Sequence, residues 1–438
     1  RIVFTLDLLA PSVLGSLHSG PLEHVVVASL ARKISPVRGW LYRIERLRRN
    51  GPFALRENDH VHYFDHLVRH GAGLGPSDLA PRLTPEEDVA LIAPTGGTTS
   101  SPKAVMLTHR NLVANAFQLG AWSREEDGTG GILAVLPFFH AYGLTVGLLT
   151  GLAKAAIIHL HPRFEARAFL DILDRHHPDL IPVVPAMLLA LNRELRKRPR
   201  DLSYVRAVVS GASAMDRAVR AEFEQYHAQY VVEGYGLSEA SPVTHVNPVD
   251  ERNRPGTIGL PVPDTEAKIM DTATGLEELP VGSVGELVVR GPQVMKGYFH
   301  NPEETARALR GGWLYTGDMA RQDRDGFFTL VDRKKDIIKT SGFLVFPAEV
   351  EEVLQAFPGV AEAAVIGVPD PQRGEIVKAL VVPKPGERLS VGALEAHCQK
   401  HLGKQKRPRQ IEIVQELPKN FLGKVLRRRL REGQAANK

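Results

Sequence analysis

Val89-Ala90-Leu91-Ile92-Ala93-Pro94-Thr95-Gly96-Gly97-Thr98-Thr99-Ser100-Ser101-Pro102-Lys103 decides how the rest of the chain is read. The apolar run Val89–Ala93 reads as a buried strand. Val105 to Leu112 reads as a turn that opens a helix. Between them, Gly96 and Gly97 let backbone amides point into one concavity. Five hydroxyls (Thr95, Thr98, Thr99, Ser100, Ser101) and the Lys103 ammonium stand beside them. Amides and hydroxyls bind phosphate oxygens, and a lysine adds a point charge, so the loop suits a polyphosphate. It is not the G-x-x-x-x-G-K-[ST] loop, because Lys103 follows a proline and no Ser or Thr follows it.

Outward from this loop the composition is that of an ordinary globular protein, 43% hydrophobic and 24% charged over 438 residues, long enough for two or more domains. The single cysteine, Cys398, excludes a disulfide within the chain and fits a reducing, cytoplasmic setting. No run of eighteen apolar residues is present, so no membrane span is expected. A net charge of +5 is too small to argue for nucleic acid. Leu6 to Pro11 reads as the middle of a domain, so further strands of the large domain are expected before Arg1.

Residues 32–49 are basic, with Arg32, Lys33, Arg38, Arg43, Arg46, Arg48 and Arg49 against Glu45. Ile34, Val37, Leu41, Ile44 and Leu47 recur at roughly helical spacing, and such a helix can lie on an anionic membrane or pack on its own domain. His62, His66 and His70 recur every four residues and are expected on one helical face, without the further ligand a zinc site needs. From 130 to 232 short apolar runs alternate with amphipathic ones, which argues a mostly parallel sheet covered by helices. Asp216 is placed to cap one of those helices. Ligands in such sheets bind beyond the strands' carboxyl ends. The loops there are 137–140, ending in His140, 210–213, holding Gly211, and Glu233-Gly234-Tyr235-Gly236-Leu237-Ser238-Glu239. Residues 256–332 read as a small β-rich subdomain, and 347 onward as a separate α+β domain. The apolar residues from Phe138 to Leu152 suit an alkyl channel and a buried helix equally.

These loops, in this order, resemble the adenylate-forming (AMP-binding) superfamily, above all its fatty-acyl-CoA synthetases, over nearly the whole chain. The resemblance implies an α/β fold. A large N-terminal domain (1–332) of parallel-rich sheets with helices carries a small β-barrel-like subdomain, and a hinge (333–336) leads to a small mobile α+β domain (337–438). It also implies roles. Thr95, Gly96, Gly97, Thr98, Thr99 and Lys103 match the phosphate loop. His140 matches an aromatic-His element near the acyl pocket. Tyr235 matches the ring that stacks on adenine, within a stretch holding Gly234, Gly236 and Ser238, the last standing where threonine is usual. Glu239, helped by Thr95, matches the magnesium site, a sparse set of the kind Mg2+ accepts. Asp318 and Arg333 match ribose contacts, Lys335 the hinge, and Lys339, Ser341 and Gly342 the stretch that faces CoA. Lys424 matches the small domain's catalytic lysine, acting with Lys103, Glu239 and His140.

The implied reaction is attack of a fatty carboxylate on the α-phosphorus of ATP, loss of pyrophosphate, and transfer of the acyl group from AMP to CoA. The expected cofactor is Mg2+, and the expected partners are fatty acid, ATP and CoA, without nucleic acid. Membrane contact through 32–49 and a homodimer complete the expectations. Three other readings use the same loops: an aryl- or short-chain acyl-CoA ligase, an enzyme loading a carrier protein, and a non-enzymatic nucleotide binder. Ser100 and Ala104 depart from the family, which usually has glycine at both positions.

Overall fold

The 7-stranded sheet at the centre follows from the alternation between 130 and 246. Its strand order is Leu260–Pro261, Val243–Val246, Tyr230–Gly236, Ala207–Ser210, Leu180–Val183, Gly131–Ala134, Ile157–Leu160. The last five run parallel, with Val231 beside Val208 and Val208 beside Ile181. Val and Ile recur in the inner strands, where both faces are covered, whereas Ile157 and Leu160 of the edge strand are 65% and 68% exposed. The helices Ala166–His176, Pro185–Lys197 and Arg217–Glu224 supply Phe169, Leu170 and Leu173, then Leu188, Leu191 and Leu195, then Phe223, all under 2% exposed. Each such side chain stabilises the fold by about 2 kcal/mol. Asp216 caps the last helix as expected, its Oδ1 accepting from Ala218 N (2.7 Å) and Val219 N (3.0 Å).

The structure, a computed structural model, describes residues 1–17, 20–50, 56–75, 83–94, 103–124, 126–226, 230–419 and 425–435. It divides into two units, 1–83 and 84–438. The first holds a parallel sheet of Ile2–Leu6, His24–Ala28 and Val61–Tyr63, with the helices Pro36–Asn50 and Phe64–Gly71. His62 lies in the third strand, not on the helix with His66 and His70, because Val61 is the residue that buries (4% exposed) and draws its neighbours into extended pairing. His62 Nε2 stands 3.3 Å from His24 Nδ1 instead. No three His, Cys, Asp or Glu side chains gather as a metal site among the described residues.

In the second unit Ala104–Thr108 is a strand, antiparallel to Val89–Pro94, and not a turn. Val105 and Leu107 are wholly buried, so a period of two wins there. The run Val89–Pro94, in turn, is largely exposed rather than buried: Val89 is 38% and Ile92 44% exposed. The following helix, His109–Ser123, starts at a capping box in which Thr108 Oγ1 accepts from Asn111 N (3.2 Å) and Asn111 Oδ1 from Thr108 N (2.9 Å). The β-rich subdomain is a five-stranded antiparallel sheet built on Trp313–Gln322, which pairs with Gly285–Arg290 and Phe328–Arg333. Beyond it, Val360–Asp370 and Gly374–Pro383 centre another five-stranded sheet. Val365, Val377 and Val381 pack under the helices Pro347–Gln355 and Val391–His401, while Ala364 and Ile366 on the other face meet Leu430 of the helix Arg427–Ala435. Among the described residues no helix is long and apolar enough to cross a membrane.

Candidate active site

The loops expected to gather beyond the strands' carboxyl ends do so, around a cleft of about 2090 Å3. Its wall includes His140, Gly211, Gly234, Tyr235, Gly236, Ser238, Glu239, Asp318, Arg333, Lys335 and Lys103. Residues 95–102 and Lys424 lie outside the described residues, so Thr95, Gly96, Gly97, Thr98 and Thr99 are not placed. Their flanks are: Pro94 and Lys103 line the cleft, and so do Lys419 and Val425, which pair with each other as a β-bridge.

At one end stands Tyr235, buried in the strand Tyr230–Gly236. Its hydroxyl donates to Asp318 Oδ2 at 2.6 Å. Burial, then the Asp318 charge, hold the phenol far above its ordinary pKa, so it remains a donor. Gly236 is required here, since a Cβ would lie 2.2 Å from Pro242 O. Asp318 and Arg333 are register partners on adjacent antiparallel strands, and Arg333 Nε sits 3.3 Å from Asp318 Oδ1. Glu286, 4% exposed, holds this corner in place: it accepts from Gly317 N (3.2 Å) and pairs with Lys334 Nζ (2.6 Å). The result is a flat ring, a carboxylate and a guanidinium on rigid strands.

At the other end, Tyr298 OH donates to Glu239 Oε1 at 2.8 Å. Glu239 Oε2 has no hydrogen bond among the described residues. The Lys103 ammonium lies 4.9 Å from the centre of the Tyr298 ring, a cation–π contact, and also pairs with Glu304. Tyr298 and Glu304 were not anticipated. The signal that could have found them is Asn301-Pro302-Glu303-Glu304, a helix start in which Asn301 Oδ1 accepts from Glu304 N (3.2 Å) and directs Glu304 toward the loop.

His140, also in the wall, is half-buried, its Nδ1 accepting from Tyr142 N at 3.2 Å, and burial lowers its pKa. Tyr142 OH donates to Val209 O (2.7 Å) and reaches Val183 O (3.3 Å), joining the carboxyl ends of two parallel strands. The apolar stretch after it is a π-helix, Gly143–Leu149, continued by Thr150–Ala153. It is a buried helix whose Val146 also lines the cleft, alongside Leu119, Trp122, Val246 and Val249.

The stretch expected as the hinge, 333–336, holds a short 3-10 turn, Lys334–Asp336. Desolvation, then Arg333, lower the pKa of Lys335. Beside it, Asp332 Oδ2 accepts from Ala348 N (2.8 Å), and Arg427 makes a two-pronged pair with Glu351 (2.8 and 2.7 Å) while facing Asp332 (3.7 Å) and Asp336 (3.5 Å). Lys339, Ser341 and Gly342 do not line this cleft. They form the hairpin between Ile338–Thr340 and Phe343–Val345, whose Ser341 (φ 49°) and Gly342 (φ 83°) make the turn. Thr340, Ser341 and Phe343 border a separate cavity of about 200 Å3 with Arg373, Lys404, Arg407 and Arg409.

A parallel sheet whose carboxyl-end loops open onto a nucleotide-sized cleft, with a small α+β body carried after a hinge, is the build of an adenylate-forming enzyme. The chain belongs to that family. The AMP-binding enzyme pattern matches residues 32–299 and the AMP-binding enzyme C-terminal domain pattern residues 349–424. It is an acid–thiol ligase of the CoA ligase kind, a class whose co-substrates are ATP and CoA. It is 39% identical to the long-chain-fatty-acid–CoA ligase of Bacillus subtilis over 439 residues, 100% of this chain and 77% of that protein. It is 36% identical to the enzyme of the same name from Escherichia coli O157:H7, over 95% of this chain and 74% of that one. The chain spans 64% of the corresponding ligase of Escherichia coli O6:H1. Among solved structures it resembles ATP-bound MatB from Rhodopseudomonas palustris (TM-score 0.80, 30% identity, 94% of this chain and 79% of that one). It also resembles the o-succinylbenzoate CoA synthetase of Bacillus subtilis in complex with its acyl-adenylate (TM-score 0.73, 26% identity, 98% and 87%).

Proposed function

We propose that the chain activates a long-chain fatty acid as its acyl-adenylate and passes the acyl group to CoA. One observation carries this reading: the Tyr235–Asp318–Arg333 corner and the Lys103–Tyr298–Glu239 chain face one cleft whose wall also holds apolar residues. The first suits adenosine, with the ring of Tyr235 against the base and Asp318 accepting from the ribose hydroxyls. The second suits phosphates, with Lys103 and the stretch Thr95–Thr99 on the β and γ groups. The apolar wall suits an alkyl chain.

The fatty carboxylate attacks the α-phosphorus, the bond to the pyrophosphate oxygen breaks, and the cleft holds both anions together. Glu239, whose Oε2 has no hydrogen bond among the described residues, would hold a magnesium ion, which accepts few protein ligands. When bound, that ion neutralises charge on the departing pyrophosphate. Lys424 would stand at the α-phosphate in this step, on the segment whose flanks line the cleft. A rotation at Lys335, between the large domain (1–332) and the small one (337–438), would then exchange Lys424 for the hairpin bearing Lys339, Ser341 and Gly342. The CoA thiolate attacks the acyl carbon, the C–O bond to AMP breaks, and the thiol proton leaves to solvent.

The test is magnesium-dependent pyrophosphate release by the full-length protein across carboxylates of increasing length, with benzoate and o-succinylbenzoate included because of the synthetase likeness. The expected result is a rise in kcat/KM with chain length. A maximum at an aryl or short acid overturns the chain-length assignment. Lys424→Ala is expected to slow adenylate formation about a hundredfold, roughly 3 kcal/mol, yet still turn supplied acyl-AMP and CoA into thioester. Equal loss in both half-reactions contradicts the division of labour.

A further inference from the structure

Lys103 and Glu304 stand 201 residues apart in the chain, and the backbone brings them together. Gly297–Tyr298 pairs antiparallel with Ala104–Thr108, Tyr298 opposite Val105, and Phe299 N donates to Ala104 O at 2.8 Å. The Asn301 cap and Pro302 then start the helix Pro302–Ala308 and fix Glu304 in its first turn. The Glu304 carboxylate is shared: Oε2 accepts from the Lys103 ammonium and Oε1 from Arg307 Nη1, both at 2.5 Å. All three residues line the cleft. Lys103, then Arg307, hold the Glu304 carboxyl below its ordinary pKa, which keeps it charged.

The Lys103 and Glu304 side chains are 24% and 25% exposed, and an ion pair open to water in this way adds little to stability. What the pair does set is the charge that a polyphosphate meets. A lysine carries one charge, and it cannot fully neutralise a carboxylate and a phosphate at once. Glu304 is anchored by its helix start and by Arg307, whereas Lys103 has a flexible four-carbon stem, so Lys103 is the partner that moves. We propose, on the reading of Lys103 as a phosphate contact, that Glu304 is its resting counter-ion. The β- and γ-phosphates displace Glu304 from Lys103 when ATP binds, and Glu304 takes Lys103 back as pyrophosphate leaves. Glu304 is thus a positioning residue that acts through Lys103. It loosens the hold on pyrophosphate, the product that must depart.

The experiment is isothermal titration of the full-length protein with pyrophosphate, ATP and AMP, magnesium present, for the parent chain, Glu304→Gln, Lys103→Met and the double variant. Glutamine keeps the size of the side chain and removes its charge. Glu304→Gln is expected to lower Kd for pyrophosphate and ATP by about tenfold. Kd for AMP, which has no β- or γ-phosphate, is expected to stay the same. In the Lys103→Met background the same substitution is expected to change neither. The thermal midpoint is expected to move little, because the pair is partly exposed. Pyrophosphate added as a product inhibitor is expected to act at about tenfold lower concentration on Glu304→Gln than on the parent. An unchanged or weakened hold on pyrophosphate in Glu304→Gln overturns the proposal, as does equal tightening of AMP. So does the same tightening without Lys103, which would make Glu304 a diffuse charge rather than a partner of that lysine. If Lys103→Met binds ATP and pyrophosphate as the parent does, the phosphate reading of Lys103 falls, and the proposal with it. If Lys103→Met binds them more weakly and Glu304→Gln no more tightly, the proposal alone falls.

Discussion

Two corners of the second unit hold opposite charges together, and they do so differently. At the Tyr235–Asp318–Arg333 corner the three side chains ride on paired strands, and Asp318 and Arg333 are opposite each other in register. At the Asp332–Arg427–Glu351 corner the charges join the end of one sheet to the last helix of another, 95 residues further on by the Asp332–Arg427 separation. The first corner leaves a carboxylate at the edge of the cleft, where a ligand can use it. The second spends its hydrogen bonds internally. We read one as a binding surface and the other as a joint, and substitutions separate them.

The largest effect is expected at the joint. Arg427→Ala leaves Glu351 and Asp332 buried without their cation, which costs about 3–5 kcal/mol and is read as a fall in thermal midpoint. A stability change under about 1 kcal/mol would show the joint to be solvated. At the binding corner the expected effect is on catalysis instead. Asp318→Ala should lower kcat/KM for ATP by about a hundredfold, near 3 kcal/mol, as one hydrogen-bond acceptor for two hydroxyls is lost. A change in stability with unaltered ATP dependence would make Asp318 structural. Tyr235→Phe keeps the ring and removes the bond to Asp318, at about 2 kcal/mol or less.

The effect smallest per step is a pH dependence. His245 packs behind the corner, between Tyr235 and Phe328, and burial pushes its pKa down to about 3. The unfolded chain binds a proton there near pH 6.5 and the folded chain does not until about 3. Stability is therefore full above pH 6.5 and falls as pH drops through it, by about 1.4 kcal/mol per unit from this group. Denaturant unfolding at successive pH values checks the slope, and His245→Phe is expected to flatten it.

The same contrast explains what was legible in the sequence. The inner parallel strands were readable because both faces are covered, so that short apolar runs stand out from the amphipathic helices between them. Tyr235, Asp318, Arg333 and Glu239 were readable as types in order along the chain, although only the fold shows that Tyr235 and Asp318 touch. Ala104–Thr108 misled because Thr108-His109-Arg110-Asn111 carries a true helix start, and the three residues before it, Val105 to Leu107, seemed to belong to that turn. His62 misled because spacing by four is blind to a strand that ends at Tyr63. The stretch from Phe138 to Leu152 was ambiguous because an apolar helix and an apolar channel share a composition; the π-helix there serves both ends, burying Gly143 and Thr145 and presenting Val146 to the cleft. The Arg427 joint was invisible, being one arginine among Arg427, Arg428, Arg429 and Arg431 until the fold sets it against Glu351.

The measurement that bears most directly on the account is mass detection of products when the full-length protein meets ATP, magnesium and oleate, first without CoA and then with it. The account predicts oleoyl-AMP and pyrophosphate in the first stage, then oleoyl-CoA and AMP in the second. ADP in place of AMP, or no acyl-adenylate from oleate while an aryl acid gives one, would contradict it.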